Sequence, residues 1–305
     1  MTDRGSPSVG VVAVNYNGAA FIAEFVASLR AVTYPRYELV VVDNASTDGS
    51  RQWLERCRDV TLIPLPENTG ITGGNNAGAR YCLERGHAFV LFINSDTTVE
   101  PDFLDRLVAA ADDRTLVVPK ILYYYDRSLV NTHAGGFDWW RGVFRDTFHG
   151  KPDGPAANVD RSIQTASFCC MLLPARVFHD VGFIDERFFM YYDDTDYVAR
   201  ALAAGYRLRY HPAAVIYHRE SASSGGGWMT PFKHYYATRN RLYLVKKHVP
   251  RWRYALFTAY FLATRVPIYL RHLVKRDARM RRALTRAVLD YYRGRLGRTL
   301  DVADL

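Results

Sequence analysis

The sequence predicts an α/β fold built on a mostly parallel sheet with helices on both faces. Two observations carry this prediction. Short, wholly apolar runs such as residues 9–14 recur, as expected of strands that are covered on both faces. These runs alternate with segments of helical periodicity, and four such alternations fill about the first 115 residues. A chain of 305 residues can hold one large domain of this kind and an appendage.

The elements of the first half follow from periodicity and turn residues. Strands are predicted over residues 9–14, 37–42, 60–65 and 88–93. Apolar residues at helical spacing follow the first strand; they are Phe21, Ile22, Phe25, Val26 and Leu29. Residues 46–48 supply an N-cap for a second helix that ends near residue 56, and a third helix is predicted over about 74–84.

The second half is less regular. Residues 120–165 are aromatic, rich in glycine and proline and weakly periodic, which predicts loops and short strands in a second lobe. Regular structure returns over 166–173, in a helix near 174–181 and over 188–204. The segment 207–210 precedes a predicted turn at His211 and Pro212, and the Ser/Gly-rich segment 221–227 predicts a mobile loop.

The charge of the chain is concentrated at one end. Residues 1–232 hold 22 Lys and Arg against 27 Asp and Glu, whereas residues 233–305 hold 18 against 4, which are formal charges of −5 and +14. We therefore predict an α/β domain over 1–232 and a basic, amphipathic helical extension over 233–305, interrupted at Pro267.

The basic extension suits a helix that lies on an anionic membrane surface through about residues 233–298, because its cations stand beside aromatic and aliphatic residues. Packing on the domain, or on a second subunit in a homo-oligomer, is the alternative. Nucleic acid is not an expected partner, because no recognisable nucleic-acid motif accompanies the charge.

The cysteines and the N-terminus predict a cytoplasmic protein, peripheral at most to the inner face of the membrane. Cys57, Cys82, Cys169 and Cys170 form no CxxC pair and are expected to be free thiols. No apolar stretch precedes the first strand, and no run reaches the ~18–20 apolar residues that span a bilayer.

Polar residues follow three predicted strands where each one ends. They are Asn15 and Asn17, Asp43 and Asn44, and Asn94 and Asp96. Ligands of open α/β sheets bind at the carboxyl ends of strands, so these residues predict a binding site, although Asn and Asp are also ordinary turn formers. Gly-x-Gly-x-x-Gly and the P-loop pattern are both absent. The Gly/Asn-rich helix entry over 67–78 suits an anion, or else tight helix–sheet packing.

Three further positions suggest chemistry. Asp96 offers the oxygen ligand that Mg²⁺ or Mn²⁺ prefers beside substrate phosphates. The acidic run over 193–196 contains adjacent carboxylates whose repulsion can raise a pKa, as a proton acceptor requires. If Asp193 caps a helix and Asp196 pairs with Arg200, Asp194 is left as the free carboxylate. His218 is either a core histidine or a metal ligand.

In order, these motifs resemble the family 2 inverting glycosyltransferases of GT-A fold, and especially the rhamnosyltransferase-like branch that builds bacterial surface polysaccharides. The matching stretches are VAVNYNG (12–18), VVDNASTDG (41–49), NTGITGGNNAG (68–78), LFINSD (91–96), MLL (171–173), VGFIDE (181–186) and YDDTDY (192–197). They span about residues 8–245, and their shared order makes coincidence a poor explanation.

The resemblance implies a nucleotide-sugar half over about 8–118 and an acceptor half over about 119–232. The implied donor-binding residues are Asn15, Tyr16, Asp43, Asn76, Asn94, Ser95 and Asp96. Residues 94–96 stand where the family has its Asp-x-Asp metal motif, with asparagine at the first position. Asp96 and His218 are the implied ligands of Mg²⁺ or Mn²⁺, and Asp194 is the implied general base.

The resemblance further implies a single displacement that transfers a sugar, such as rhamnose, from a nucleotide-diphosphate donor to a saccharide or lipid-linked acceptor with inversion. One rival is a sugar-phosphate nucleotidyltransferase, but residues 15–18 lack the basic, glycine-rich loop that such an enzyme needs after its first strand. The other is a non-catalytic, membrane-docked sugar-nucleotide binding protein, whose signature is donor binding without transfer.

Overall fold

The computed structural model describes residues 5–132, 134–146, 148–220 and 230–300. The strands are β1 (Val9–Asn15), β2 (Tyr37–Asp43), β3 (Thr61–Pro64), β4 (Phe89–Ile93), β5 (Thr97–Val99), β6 (Thr115–Tyr123), β7 (Ala134–Asp138), β8 (Val143–Asp146), β9 (Arg161–Ser162), β10 (Thr165–Ala166), β11 (Cys170–Pro174) and β12 (Arg207–His218). The helices are α1 (Ile22–Arg30), α2 (Ser50–Leu54), α3 (Gly70–Glu84), α4 (Phe103–Ala109), α5 (Arg176–Asp180), α6 (Asp193–Ala203), α7 (Pro231–His248), α8 (Arg251–Val274) and α9 (Ala278–Tyr292).

The main sheet has the order β3–β2–β1–β4–β11–β6–β12–β5, with β9 beside β12. The pairs β3–β2, β2–β1, β1–β4 and β6–β12 are parallel, while β11, β5 and β9 run antiparallel to their neighbours. Six of these nine strands therefore point the same way, and the predicted mostly parallel sheet is confirmed. Within the described ranges, β10, β7 and β8 form a second, small antiparallel sheet.

Both faces of the main sheet are covered, as the apolar strands predicted. Alternate residues of β1 point to opposite faces: Val11 belongs to the cluster that contains Phe25 of α1, and Val12 to the cluster that contains Ala79 of α3. Each fully buried side chain of this size contributes about 1.5–3 kcal/mol. This rigid core holds the ends of β1, β2 and β4 in register.

The glycines of α3 allow the helix to lie close to β1. A Cβ atom at Gly78 would come within 2.3 Å of Val12, and one at Gly74 within 2.7 Å of Val14. Tight helix–sheet packing is therefore what these two glycines provide. The helix begins at Gly70, four residues before the predicted start.

The structure differs from two local predictions about the α/β domain. The N-cap of α2 is Gly49, one residue beyond the predicted 46–48, although Asp48 accepts a hydrogen bond from the N–H of Ser50, the first residue of the helix. The predicted turn at His211 and Pro212 is a register shift inside β12, because the strand resumes its pairing with β6 at Val215.

Pro267 does not interrupt α8, which continues to Val274. Proline removes one backbone hydrogen bond, and the buried side chains of Phe257 and Phe261 anchor the helix nevertheless. The predicted loop 221–227 lies outside the described residues.

The helical extension packs on the α/β domain through α7. Tyr235 and Tyr236 of α7 are buried in one cluster with Phe189 and with Ala283 and Ala287 of α9. The four cysteines are free thiols, as predicted. None of the helices in the described ranges is both long and apolar enough to cross a bilayer.

Candidate functional site

The ends of β1 and β2 bring two of the predicted donor-binding residues into contact. Asn15 and Asp43 are register partners, both fully buried, and Asn15 Nδ2 donates to Asp43 Oδ1 over 2.9 Å. The same amide group reaches the hydroxyls of Ser46 and Ser50, and the Ser46 backbone N–H donates to Asp43 Oδ2 over 3.1 Å. A buried carboxylate with orienting donors can accept hydrogen bonds from a ligand at this edge.

The chain beside this pair is strained and exposed. Tyr16 stands 38% exposed, and Asn17 and Ala45 adopt left-handed backbone conformations with φ of 52° and 62°. Such conformations cost about 1–2 kcal/mol for residues other than glycine and cluster at functional sites. An exposed aromatic ring at the end of β1 offers a surface on which a nucleotide base could stack.

Two of the polar residues singled out in the sequence serve the fold. Asn44 bonds to Asn68, Thr69 and Gly70, which fixes the entry to α3. Asn76 donates to the Ile184 carbonyl and to Glu186, and accepts from the Ile184 N–H, so its amide is fully engaged there. Donor binding by Asn76 stays a prediction.

Asp96 and His218 meet because β5 and β12 pair antiparallel, with Thr97 opposite His218. Asp96 Oδ1 lies 3.2 Å from His218 Nε2, and both side chains are buried. Asn94 Nδ2 lies 3.5 Å from the same nitrogen. Ser95 donates its hydroxyl proton to the Val14 carbonyl over 2.9 Å, which ties this segment to β1. The structure thus joins residues 94–96 both to the Asn15–Asp43 pair and to His218.

Hydrogen bonds fix the tautomer of His218. The carboxylate of Glu220 can only accept hydrogen bonds, so the amide of Asn131 must direct its NH₂ group toward Glu220, over 3.0 Å. Asn131 Oδ1 then faces His218 Nδ1 at 2.8 Å, and Nδ1 must carry the proton. In the neutral imidazole the lone pair is therefore on Nε2, toward Asp96. Metal-binding histidines are usually oriented in this way by a second hydrogen bond.

The pKa of His218 reflects opposing influences. Burial lowers it, whereas Cys169 and Asp96 raise it, and the net direction is upward. A bound cation would require the neutral form of the ring. One carboxylate and one imidazole suit Mn²⁺, and Mg²⁺ also binds with few protein ligands. The described residues contain no group of three or more His, Cys, Asp or Glu that could hold a metal. A cation held by Asp96 and His218 would take its other oxygen ligands from water or from a bound ligand.

Asp194 stands at the start of α6, after a strained turn. Phe189, Tyr191 and Tyr192 all have positive φ, between 65° and 67°. Tyr192 is the N-cap, without a side-chain cap, so the predicted cap at Asp193 is wrong. The predicted pair of Asp196 with Arg200 is confirmed at 2.9 Å.

The pKa of Asp194 suits a proton acceptor. Burial raises it from 3.8 to about 6, although the N–H and hydroxyl of Thr195 oppose the shift by bonding to Oδ1. Burial and the charge of Asp194 raise the pKa of Asp193 well above its usual range. Asp194 also accepts from the Phe168 N–H, while the Asn94 N–H donates to the Cys169 carbonyl over 2.9 Å. Residues 168–169 therefore connect the carboxylate of Asp194 to the segment 94–96 through hydrogen bonds.

Sequence reasoning missed the residues that hold this turn. Asn240 Nδ2 reaches the carbonyls of Phe188, Met190 and Tyr191 at 2.8, 2.7 and 3.2 Å. Its neighbour Arg239, fully buried, donates to the Phe188 carbonyl as well. Both residues lie in the basic extension, where nothing in the residue pattern distinguishes buried cations and amides from solvated ones.

Comparisons with known proteins match this architecture. The family model for glycosyl transferase family 2 matches residues 8–182. The N-acetylglucosaminyl-diphospho-decaprenol L-rhamnosyltransferase of Mycobacterium tuberculosis is 28% identical over 269 residues, which are 80% of this chain and 86% of that protein. The dTDP-rhamnosyl transferase RfbF of Shigella flexneri is 26% identical, over 70% of this chain and 72% of its own length.

Solved structures share the fold. GalNAc-T7 with UDP, GalNAc and Mn²⁺ superposes with a TM-score of 0.60 at 15% identity, over 80% of this chain but only 48% of that one. Residues 1–349 of S. aureus TarS with UDP-GlcNAc superpose with a TM-score of 0.57 at 17% identity, over 93% of this chain and 80% of that one. With the family model covering more than half of its length, the chain belongs to glycosyl transferase family 2, and is a glycosyltransferase of GT-A fold similar to rhamnosyltransferases.

Proposed function

We propose that the protein transfers a sugar, rhamnose by similarity to its relatives, from a nucleotide-diphosphate donor to a hydroxyl of a lipid-linked or saccharide acceptor, with inversion. The observation that carries this proposal is the position of Asp194. A partly buried carboxylate with its pKa raised to about 6 is linked through residues 168–169 to the donor-side segment 94–96. A base facing a leaving group is the arrangement that a single displacement needs.

In this proposal the strand ends bind the donor. Asp43, oriented by Asn15, accepts hydrogen bonds from the base, and Tyr16 provides a stacking surface. Asp96 and His218 would hold Mg²⁺ or Mn²⁺, and a bound cation would stabilise the negative charge of the departing diphosphate. The division into a donor half (8–118), an acceptor half (119–232) and an extension (233–305) belongs to the same proposal.

In this proposal Asp194 removes the proton of the acceptor hydroxyl. Hydrogen bonds from Thr195 to Oδ1 orient the carboxylate of Asp194, which accepts the proton of the acceptor hydroxyl as the oxygen attacks the anomeric carbon. Because Asn240 and Arg239 bind the turn before α6, the carboxylate is fixed rather than mobile. Attack on the face opposite the diphosphate gives inversion.

The test is turnover with defined stereochemistry. A panel of UDP-, GDP- and dTDP-sugars is offered with a prenyl-diphosphate-linked N-acetylglucosamine, in Mn²⁺ and then in EDTA, and the product's anomeric configuration is read by NMR. Inversion that depends on the metal is expected. Retention of configuration, or equal turnover in EDTA, would contradict the mechanism.

We further propose that the outer face of α8 lies on an anionic membrane, where a lipid-linked acceptor is found. Its exposed apolar positions are separated alternately by four and three residues; they are Trp252, Leu256, Ala259, Ala263, Val266, Leu270 and Leu273. This spacing keeps them on one face for about 30 Å. Trp140 of the acceptor half extends the surface, with its ring centroid 5.9 Å from that of Trp252.

Charge favours a membrane over a second copy of the chain. Residues 233–276 contain no Asp or Glu, and the exposed cations Arg251, Arg271 and Lys275 border the apolar face. Pairing two such faces would bring two strongly basic segments together, whereas anionic headgroups would neutralise them.

Vesicle flotation tests this surface. The triple variant Leu256→Gln, Val266→Gln, Leu270→Gln should lose flotation with vesicles of phosphatidylglycerol and phosphatidylcholine. A control variant at the exposed Val159, Val159→Gln, should float as the wild type does. Failure of the wild type to bind anionic vesicles, or a dimer in solution that the triple variant dissociates, would refute the membrane assignment.

A further inference from the structure

Three basic side chains between α7 and α8 lack the partners that buried cations normally have. His234 is 8% exposed and Arg241 5%, and Arg265 is partly buried. Neither ring nitrogen of His234 nor Nε of Arg265 has a hydrogen-bond partner within the described part of the chain. The guanidinium of Arg241 donates only to the Arg141 carbonyl among the contacts of described residues.

Arg241 and Arg265 contact the same aromatic ring, and His234 is near enough to Arg265 to be affected by its charge. The Cζ atoms of Arg241 and Arg265 are 5.4 and 5.1 Å from the centre of the same Phe261 ring, so these distances together place the two cations within about 10.5 Å of each other. Burial lowers the pKa of Arg265, and the charge of Arg241 lowers it further. Burial likewise lowers the pKa of His234 to about 4, and Arg265 and His272 add to that shift.

The cluster adjoins the turn that carries the proposed base. Burial raises the pKa of Tyr192, while Arg241 and Arg265 oppose the shift and the charge of Asp194 reinforces it. The charges of the two arginines and of Asp194 therefore all act on Tyr192, the N-cap of α6. The donor's diphosphate belongs at the other end of the site, beside Asp96, so an anion bound at the cluster would belong to the acceptor.

Two like charges held in a partly dry site are costly unless an anion accompanies them. Guanidinium groups bind phosphate oxygens bidentately, and a neutral imidazole adds one N–H donor. A diphosphate ester, with several acceptor oxygens and two or more negative charges, offers hydrogen-bond acceptors to all three side chains. Arg265 lies on α8, so the cluster is about one helix diameter, ~10 Å, from the proposed membrane face.

We propose that His234, Arg241 and Arg265 bind the diphosphate group of a lipid-linked acceptor. This inference rests on the proposed function and deepens it, since it names the part of the acceptor that the protein recognises. The sugar hydroxyl of the acceptor would then extend from the cluster past Tyr192 toward Asp194.

Binding of farnesyl diphosphate, measured by calorimetry in EDTA so that no metal site contributes, tests the proposal. The variant Arg265→Gln should weaken binding at least tenfold, and Arg265→Lys should retain part of it because the charge remains. The control Arg58→Gln removes the same charge from an exposed position between α2 and β3 and should bind as the wild type does. Circular dichroism melts establish that each variant is folded.

Two further ligands identify what is recognised. Inorganic pyrophosphate should compete with farnesyl diphosphate, since the site contacts the diphosphate, and farnesol should bind much more weakly. Equal affinity for farnesol, or equal binding by the wild type and Arg265→Gln, would overturn the proposal, as would pyrophosphate binding with no affinity for the prenyl ester. Because these measurements involve no transfer, they can succeed even if the proposed sugar transfer fails.

Steady-state kinetics separates the site from the reaction. Arg265→Gln should raise the KM for a prenyl-diphosphate-linked acceptor about tenfold or more and leave the KM for the donor unchanged. An equal rise in both constants, or a fall in kcat alone, would contradict acceptor recognition at this cluster.

Discussion

Replacing Asp194 by asparagine should abolish sugar transfer and at the same time stabilise the protein. The structure gives the reason. Burial raises the pKa of Asp194 from 3.8 to about 6, which means that the folded state favours the neutral acid over the carboxylate. At neutral pH Asp194 is nevertheless ionised, and its charge destabilises the folded state. At 1.36 kcal/mol per pH unit, this costs the folded state about 3 kcal/mol.

The sign of the pH dependence follows from proton uptake. Between about pH 4 and pH 6 the folded protein binds more protons at Asp194 than the unfolded chain does, so the contribution of Asp194 to stability falls as the pH rises through this range and is constant above it. The amide oxygen of an asparagine can still accept the hydrogen bond from the Thr195 N–H, and the amide has no ionisable proton in this pH range. Asp194→Asn should therefore be about 3 kcal/mol more stable than the wild type at pH 7.5, and nearly equal to it at pH 4.

Differential scanning calorimetry at the two pH values measures this effect. With an unfolding entropy of about 2.1 cal/mol/K per residue, 3 kcal/mol raises the Tm of a chain of 305 residues by roughly 5 °C. Transfer should fall at least about a hundredfold while donor affinity is unchanged. The exposed Asp113→Asn serves as the control, with no change in either property. A variant that is less stable at pH 7.5, or whose Tm shift is the same at both pH values, would refute the reasoning.

Wild-type kcat/KM should fall tenfold per pH unit below an apparent pKa of about 6, because Asp194 must be ionised to accept a proton; a flat profile from pH 5 to 8 would exclude it as the base. Asn240→Ala should lower the free energy of unfolding by about 2–4 kcal/mol, seen as a lower denaturation midpoint, because the carbonyls of Met190 and Tyr191 lose their side-chain donor. Asn131→Ala should weaken Mn²⁺ binding, followed by electron paramagnetic resonance, by about 10–100-fold, and unchanged affinity would show that His218 needs no orienting partner. Gly78→Ala should destabilise the fold by about 1–3 kcal/mol, since its methyl group would overlap Val12.

The sheet and the strand-end site could be predicted because local pattern and topology agree. Apolar runs fix β1, β2 and β4, and the parallel arrangement brings their carboxyl ends to one edge, which places Asn15 beside Asp43. The pairing of Asp96 with His218 could be expected only from the family resemblance, because 122 residues separate them and the antiparallel contact of β5 with β12 has no local signal.

The support for the turn before α6 could not be predicted. Its geometry depends on Asn240, whose amide is buried among the carbonyls of residues 188–191, and burial of a polar residue inside a basic helix leaves no periodic trace. The start of α3 at Gly70 could not be predicted from the sequence for a related reason. Gly70 has a φ of 74° and lies against Phe189, and this tertiary contact has no capping pattern in the sequence.

Donor binding is the central claim, and calorimetric titration of UDP-, GDP- and dTDP-sugars tests it most directly, in Mn²⁺ and then in EDTA, with the wild type and Asp96→Ala. We predict that one donor binds the wild type tightly in Mn²⁺, and that EDTA or the substitution removes this binding. Unchanged affinity of Asp96→Ala for a donor in Mn²⁺ would refute the metal site. If no nucleotide bound the wild type under either condition, the polar strand ends would be turn residues only, and the proposed transfer would fall.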